Sequence, residues 1–525
     1  MARILVTEPL SERGIEAMRA GGHEVDVQTG LSPDELNEAV RGAAALVVRS
    51  GTKVTAAVLE QGRDLVVVGR AGVGLDNVDV ASATDRGVMV VNAPESNILS
   101  AAEHAVALLL AQARNIPQAH AALVAGRWER SKWEGVELYA KTLGIVGLGR
   151  IGALVAQRAH AFGMRVVAHD PYVSEDRARR MGVELMGLEE LVGVSDFLTI
   201  HLPKTPETAG LIGKELLGKA KQGIRIVNAA RGGVLDEEAL AGAISSGQVA
   251  GAALDVFSSE PCTDSPLFGL PGVVVTPHLG ASTEEAQDKA GEQIAEQILL
   301  ALADDLVPHA VNIAASSASE TVRPYLSLAE RLGHVMAAMC DGLPDSLEVA
   351  VEGVLASEDT SMVTLGVLKG VLAAGSDEPV SYVNAPRLAD QRGLTVVESS
   401  TATPLDYLSL ITLRSGHHAI SGTLAGRGAA ERIVMIDDHG VEIPFAENLL
   451  LVRNDDRAGM IGLVGVALGE AGVSISSMAV GQTAGAGTAL MALATDVPVP
   501  DDVLAQLRRR DGILDIHRVH GTVGS

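Results

Sequence analysis

Apolar runs of four to six residues recur along residues 1–282, and each stops at a polar or glycine-bearing phrase. ILVT, AALVVRS, LVVVGR and VMVVN fall within residues 1–98, separated by mixed stretches of helical length. Such runs lack the alternation of a half-exposed strand, and their interleaving with amphipathic segments is the pattern of a parallel sheet covered on both faces. ILSAAEHAVALLLAQARNI predicts one long helix, its N-terminal side marked by Ser96 and Asn97. A second series follows, LGIVG, RVVAH, DFLTI, IRIVN, AGAALDV and VVVTP, interrupted by RIGALVAQRAHAF and DEEALAGAISS, and it predicts a second α/β unit over residues 99–282. The helical stretch EEAQDKAGEQIAEQILLALAD after Ser282 is placed to return the chain to the first unit. That unit would then be discontinuous, 1–98 with 283–311.

Beyond residue 312 the pattern weakens. AASSASE is small and polar, RPYLSLAERLGHVMAAM predicts a helix, and DSLEVAVEG and RIVMIDD predict strands of an α+β domain over 312–445. Residues 446–525 are clearer, because ENLLLVRND, GMIGLVGVALGEAG, VSISSMAV, TALMALAT and DDVLAQLRRR give a β-α-β-β-α order with room for a closing strand. This is the split βαβ, ferredoxin-like plan.

The 525 residues suffice for three or four domains. A formal charge of -25 argues against nucleic acid or an anionic membrane as the main partner, so an anionic substrate would need a local basic pocket. Two cysteines, Cys262 and Cys340, exclude a disulfide framework and fit a reducing cytoplasm. ARILVTEP opens directly as a strand rather than as a signal peptide, and the longest apolar runs fall short of the roughly 20 residues that span a bilayer. With aromatic residues at 2%, the core must be aliphatic and base-stacking platforms are not expected. No metal-ligand cluster is visible.

Chemistry enters with LGIVGLGRIG, which carries Gly147, Gly149 and Gly152 at G-x-G-x-x-G spacing between a strand and a helix. Asp170 closes the next strand, where a carboxylate accepts from ribose hydroxyls and repels the extra phosphate of NADP; the expected cofactor is NAD. GRAGVG at 69–74 lacks the helix and the distal acid, which predicts a substrate-side turn. Three phrases place a cation, a carboxylate and an imidazole past strand ends: Arg231 (NAARGG), Glu260 (DVFSSEP) and His278 (TPHLG). Arginine grips a carboxylate, histidine takes a hydroxyl proton, and glutamate orients the histidine, which is what hydride removal from a 2-hydroxy acid requires. Alone, each is an ordinary surface, loop or capping residue. Together, on the carboxyl rim of an α/β sheet, they form a site, with Asp255 on the same rim facing the nicotinamide side.

GLGRIG, NAARGGVLDEEAL, ALDVFSSEP and TPHLGAST closely resemble the D-isomer-specific 2-hydroxyacid dehydrogenases over about 300 residues. The resemblance implies a Rossmann-type NAD domain, a flavodoxin-like substrate domain, and Arg231, Glu260 and His278 as catalytic residues. It extends the cofactor contacts to Arg150, Ile151, Asp170, Ala229, Ala230, Arg231, Asp255, His278, Leu279, Gly280 and Ala281. GRAGVGLDNVD and NAPESNILSAAEHA point within the family to oxidation of 3-phosphoglycerate to 3-phosphooxypyruvate, the first step of phosphorylated serine biosynthesis. A phosphate would be met by Arg49 and Arg70, with Ser50, Gly51, Ser96 and Asn97 donating; structural salt bridges are the competing reading of the arginines. Similarity to the long members of the family implies an intervening domain and a C-terminal ACT domain, a cytoplasmic homo-oligomer with a tetramer favoured, and Trp128, Arg130 and Lys132 reaching a neighbouring subunit's cleft. It also implies an L-serine effector at Asn454 and Asp456, with Ser474 where the family has Asn, so feedback by serine would be weak or altered. Two other readings stay open: a reductase for an unphosphorylated 2-oxo acid (2-oxoglutarate, hydroxypyruvate or glyoxylate), and a non-catalytic NAD-sensing protein.

Overall fold

A computed structural model describes residues 1–313, 319–374, 380–403, 406–426, 428–482 and 487–521, so most of the AASSASE stretch lies outside the described residues. Among these residues there are four sheets. The first holds β1 (Arg3–Val6), β2 (Glu24–Val27), β3 (Ala45–Val48), β4 (Val67–Arg70) and β5 (Met89–Asn92), all parallel, in the order β2-β1-β3-β4-β5. β1, β3, β4 and β5 are almost wholly buried, as their unbroken apolar runs require, whereas edge strand β2 (EVDV) is half polar and half exposed. The helix Glu284–Leu302 starts at Thr283, whose side chain accepts from the Ala286 N–H, and two glutamates follow in its first turn. It returns the chain to this first unit: Ala290, Ile294, Ala295 and Ile298 share one core with Ile4, Val6, Val47, Val67 and Val91.

The second sheet is also parallel. It holds β6 (Thr142–Val146), β7 (Arg165–His169), β8 (Glu184–Leu185), β9 (Phe197–Ile200), β10 (Ile224–Asn228), β11 (Val249–Leu254) and β12 (Val273–Val275), in the order β12-β11-β10-β9-β6-β7-β8. This is a doubly wound order whose direction reverses between β6 and β9, and a ligand crevice belongs at that switch. The predicted helix after residue 97 ends at Ala113, where Asn115 turns left-handed (φ 51°), and a second helix, Ile116–Val124, follows. Neither Ser96 nor Asn97 caps it by side chain.

The third sheet is mixed and six-stranded, and the helices Leu326–Met339 and Ser361–Ala373 pack together beside it. The two helices meet at backbone distance, since a Cβ on Gly370 would fall 1.9 Å from the Glu330 carbonyl oxygen. The fourth sheet, antiparallel, orders Ile475–Gln482, Ala489–Thr495, Asn448–Asn454 and Ile513–His520 side by side, the ferredoxin-like arrangement. Leu450 and Val452 face its own helices, while Leu449, Leu451, Leu490, Ala492 and Val519 join the core of the intervening domain. LLLV is therefore an unbroken apolar run because both faces are covered. No helix among the described residues is long and apolar enough to cross a membrane.

Candidate active site

The dinucleotide loop follows β6. Gly147 has φ 95°, and a Cβ there would lie 2.6 Å from the His201 carbonyl oxygen; one on Gly152 would lie 2.2 Å from the Gly147 carbonyl oxygen. Only glycine fits either position. Gly149 has open space around its Cα and stands at the N-cap of the helix Arg150–Ala161 without a side-chain cap, so the first-turn N–H groups remain available to an anion. Asp170, at the end of β7, accepts from the Leu148 N–H (2.8 Å) and the Tyr172 N–H (2.9 Å), which ties the glycine loop to the carboxylate expected at the ribose. Arg150 pairs with Glu95 of the first unit at 2.7 Å. These residues fit a dinucleotide, with a cradle that any Cβ would fill.

Three adjacent strands, β10, β11 and β12, deliver the phrases carrying Arg231, Glu260 and His278 to one rim. Asn228 ends β10 and fixes the turn beyond it, its side chain donating to the Arg231 carbonyl (3.0 Å) and accepting from the Ala230 N–H (3.1 Å). A Cβ on Gly232 would lie 1.7 Å from the Phe257 carbonyl oxygen, so the loops carrying Arg231 and Glu260 touch backbone to backbone. Glu260 Oε1 accepts from the Phe257 N–H (2.9 Å), and its Oε2 lies 2.6 Å from His278 Nδ1. With Nδ1–H donating to Glu260, Nε2 of a neutral His278 is left to accept a proton. Partial burial works to raise the Glu260 carboxyl, but the bonds from His278 and the Phe257 N–H outweigh it and hold the group below the usual carboxylate range. Arg231 Nε lies 3.8 Å from Asp76 Oδ2 of the first unit, so the arginine faces the cleft between the two α/β units.

The first unit contributes cations. Arg70 ends β4, and its Nε is buried without a partner. Burial, then the neighbouring Arg231 charge, lowers the proton affinity of Arg70, and Asp76, Glu8 and Arg49 also act on it. Arg49 donates to the Pro9 carbonyl at 3.2 Å.

Several expectations are corrected. The Gly51 N–H is taken by Glu8 Oε2 (3.0 Å), while Glu8 Oε1 accepts from the Arg49 and Thr52 N–H groups (2.8 Å each), so this loop is braced by its own carboxylate. Burial would raise Glu8, but those backbone bonds hold it low. Ser96 is buried, and its hydroxyl donates to the Ala93 carbonyl (2.9 Å) instead of facing the cleft; Ser50 is exposed, and Asn97 half-buried with its Oδ1 enclosed and unpartnered. Asp255 has 0% of its surface exposed and accepts from Thr276, Leu279 and Gly280. It holds the His278 loop and presents no surface to a cofactor, and the Gly280 N–H is likewise spent on it. Ala229, Ala230, Ile151 and Ala281 remain partly open, and Leu279 is exposed. At the other end of the chain, Asn454 is buried, donating to the Ala489 carbonyl and accepting from the Asp456 N–H, and Asp456 accepts from Gln482. Ser474 sits beyond Ile475, which pairs with Thr495 at the opposite end of the sheet, so one chain does not bring the three effector residues together. Glu8, Thr276 and His104 escaped the sequence reading. Glu8 follows β1 on the same rim as Arg49, and that position was its signal; a histidine within a helical repeat carries none.

Residues 106–280 match the NAD binding domain of the D-isomer specific 2-hydroxyacid dehydrogenases, 321–437 the D-3-phosphoglycerate dehydrogenase intervening domain, and 448–512 the ACT domain. The chain is 48% identical over 507 residues to a D-3-phosphoglycerate dehydrogenase of Mycobacterium bovis, covering 95% of this chain and 96% of that one. It is 43% identical over 521 residues to a D-3-phosphoglycerate dehydrogenase of Methanocaldococcus jannaschii, covering 98% and 99%. A solved protein of Thermus thermophilus superposes with a TM-score of 0.55 at 36% identity, over 59% of this chain and 99% of that one. With the glycine cradle and the Arg231, Glu260 and His278 rim in place, the chain belongs to the D-3-phosphoglycerate dehydrogenases, the long D-isomer-specific 2-hydroxyacid dehydrogenases with intervening and ACT domains.

Proposed function

We propose that the chain oxidises D-3-phosphoglycerate to 3-phosphooxypyruvate, opening phosphorylated serine biosynthesis. The observation that carries the substrate is Arg70, a half-buried arginine whose Nε is enclosed without a partner, close enough to Arg49 and Arg231 for their charges to act on it. Three cations share one cleft with only Asp76 and Glu8 acting against them, and a carboxylate plus a phosphate monoester would satisfy them. Arg231 holds the carboxylate, Arg70 and Arg49 the phosphate. His278 takes the 2-hydroxyl proton on Nε2, and Glu260 fixes the ring and its tautomer. Bound NAD supplies the hydride acceptor. Gly147, Gly149, Arg150, Ile151 and Gly152 would hold its pyrophosphate, Asp170 its ribose, and Ala229, Ala230, Arg231, His278, Leu279 and Ala281 its nicotinamide side.

Assembly is read as homo-oligomeric. Trp128 is 82% exposed beside Arg130 and Lys132, which suits a neighbouring copy. Strand Ile475–Gln482 is an open edge, and antiparallel pairing of two such edges would set one chain's Ser474 end beside the other's Asn454 end, giving a serine site shared by two copies.

The test compares kcat/KM for D-3-phosphoglycerate, D-glycerate and D-2-hydroxyglutarate in the parent and in Arg70→Met. Losing a charge-assisted contact of about 2–3 kcal/mol should lower kcat/KM for the phosphorylated substrate roughly 30- to 150-fold, mostly through KM, and leave D-glycerate unchanged. Equal turnover of D-glycerate and D-3-phosphoglycerate by the parent would overturn the substrate assignment.

A further inference from the structure

Behind the His278 and Glu260 pair lies a second imidazole and carboxylate pair that the reaction as described leaves unused. His104, on the helix Ile98–Ala113, places Nε2 3.1 Å from Asp255 Oδ1 and 3.2 Å from Thr276 Oγ1. Asp255 in turn holds the loop that carries His278. Its Oδ1 accepts from the Thr276 hydroxyl (2.6 Å) and the Leu279 N–H (2.7 Å), its Oδ2 from the Gly280 N–H (2.8 Å), and its backbone carbonyl from the His278 N–H (2.8 Å). The residues on both sides of His278 are thus tied to one residue.

The loop needs such a tether. His278 has φ 56°, a left-handed conformation that a residue with a side chain adopts at a cost, and its ring is the part of the loop that reaches the cleft. A buried carboxylate holds its neighbours only while its own orientation is fixed and its charge is met by donors. Thr276, Leu279 and Gly280 are the groups being positioned, so they do not fix Asp255 against the rest of the fold. His104 does, because it comes from a different element, a helix packed against β10, β11 and β12.

We propose that His104 is a positioning residue for the acid/base step: its Nε2–H donates to Asp255 Oδ1, and through Asp255 it sets the loop of residues 276–280 so that His278 meets Glu260. The proposal rests on the reading of His278 as the proton acceptor. His278 is then held by two acidic residues: the Glu260 carboxylate at its ring, and Asp255, whose carboxylate takes Thr276, Leu279 and Gly280 and whose backbone carbonyl takes the His278 N–H.

The experiment uses the full-length enzyme with NAD and D-3-phosphoglycerate. His104→Leu removes the donor and keeps apolar bulk; His104→Gln retains an N–H donor of similar reach; His104→Asn, whose amide falls short, replaces the Leu variant should that fold poorly. Single-turnover hydride transfer, kcat and KM for D-3-phosphoglycerate are measured with thermal midpoints. His104→Leu should lower the single-turnover rate about tenfold with KM within twofold, because Arg49, Arg70 and Arg231 reach the substrate from other loops, and His104→Gln should recover most of the rate. An unchanged rate in His104→Leu, equal losses in the Leu and Gln variants, or a loss confined to KM overturns the proposal. His278→Ala is the control: if it keeps the parent rate, the assignment of His278 itself fails, whereas a dead His278→Ala beside a fully active His104→Leu fails only the positioning role.

Discussion

Replacing Glu260 by Gln removes one charge and changes almost no volume, so its effect reports on the 2.6 Å contact with His278. Glu260 Oε1 accepts from the Phe257 N–H, so a glutamine that keeps this bond turns its amide N–H2 toward His278 Nδ1. Two donors then face each other, and the ring must move its proton to Nε2, the atom that should accept from the substrate hydroxyl. The lost charge-assisted bond is worth about 1.5–3 kcal/mol, or roughly 10- to 150-fold at about 1.4 kcal/mol per decade, and the wrong tautomer adds to this. We expect kcat to fall at least about a hundredfold. NAD binding should hold within about twofold, because the glycine loop and Asp170 lie on other strands. Stopped-flow absorbance of NADH in a single turnover and calorimetric titration with NAD measure the two quantities separately. A Glu260→Gln enzyme with kcat within about twofold of the parent would refute the argument, since the tautomer of His278 would then not depend on Glu260.

Gly152→Ala would place a Cβ 2.2 Å from the Gly147 carbonyl oxygen, in backbone that cannot swing aside, so the Kd for NAD should rise more than about tenfold while the fold persists; titration calorimetry beside circular dichroism checks both. Burial pushes His201 down to about 4, against about 6.5 in the unfolded chain, so its contribution to stability is complete above pH 6.5 and is lost as pH falls toward 4. The ring is only partly enclosed, so the loss from pH 7.5 to pH 5 should be at most about 2 kcal/mol. Thermal midpoints of the parent and His201→Asn at the two pH values measure it, and equal drops in both would remove His201 as the cause.

That Arg231, Glu260 and His278 meet on one rim was legible because their chemistry and the backbone signal coincide. Arg231 and Glu260 each follow an apolar run that forms a buried strand, His278 follows the short valine run of edge strand β12, and Gly147 and Gly152 of G-x-G-x-x-G record steric limits that a side chain would violate. What each polar atom bonds to was not legible. Gly51 and Ser96 sit near the expected cleft, yet Glu8 takes the N–H of one and the Ala93 carbonyl takes the hydroxyl of the other. Strand β2 was missed because an edge strand of EVDV carries too little apolar surface to stand out. In the intervening domain only two of six strands were seen, and its helix pair is joined by small residues at backbone distance, so the apolar periodicity that marks a helix face is diluted by glycine and alanine.

The two central strands of the ACT sheet, Asn448–Asn454 and Ala489–Thr495, have no solvent side. Leu449, Leu451 and Val519 are set into the intervening core, and His334 of the helix Leu326–Met339 lies 2.7 Å from the His520 carbonyl oxygen. Glu330 on that same helix is 3.1 Å from Lys369, which reaches Asp304 at 2.7 Å, just past the helix that closes the first unit. A chain cut back to residue 445 would therefore lose a load-carrying wall as well as a regulatory appendage, and the stump would show a bare aliphatic face. ACT domain and scaffold share one layer here, so any tilt of the ACT strands is pressed into a helix braced against the first α/β unit.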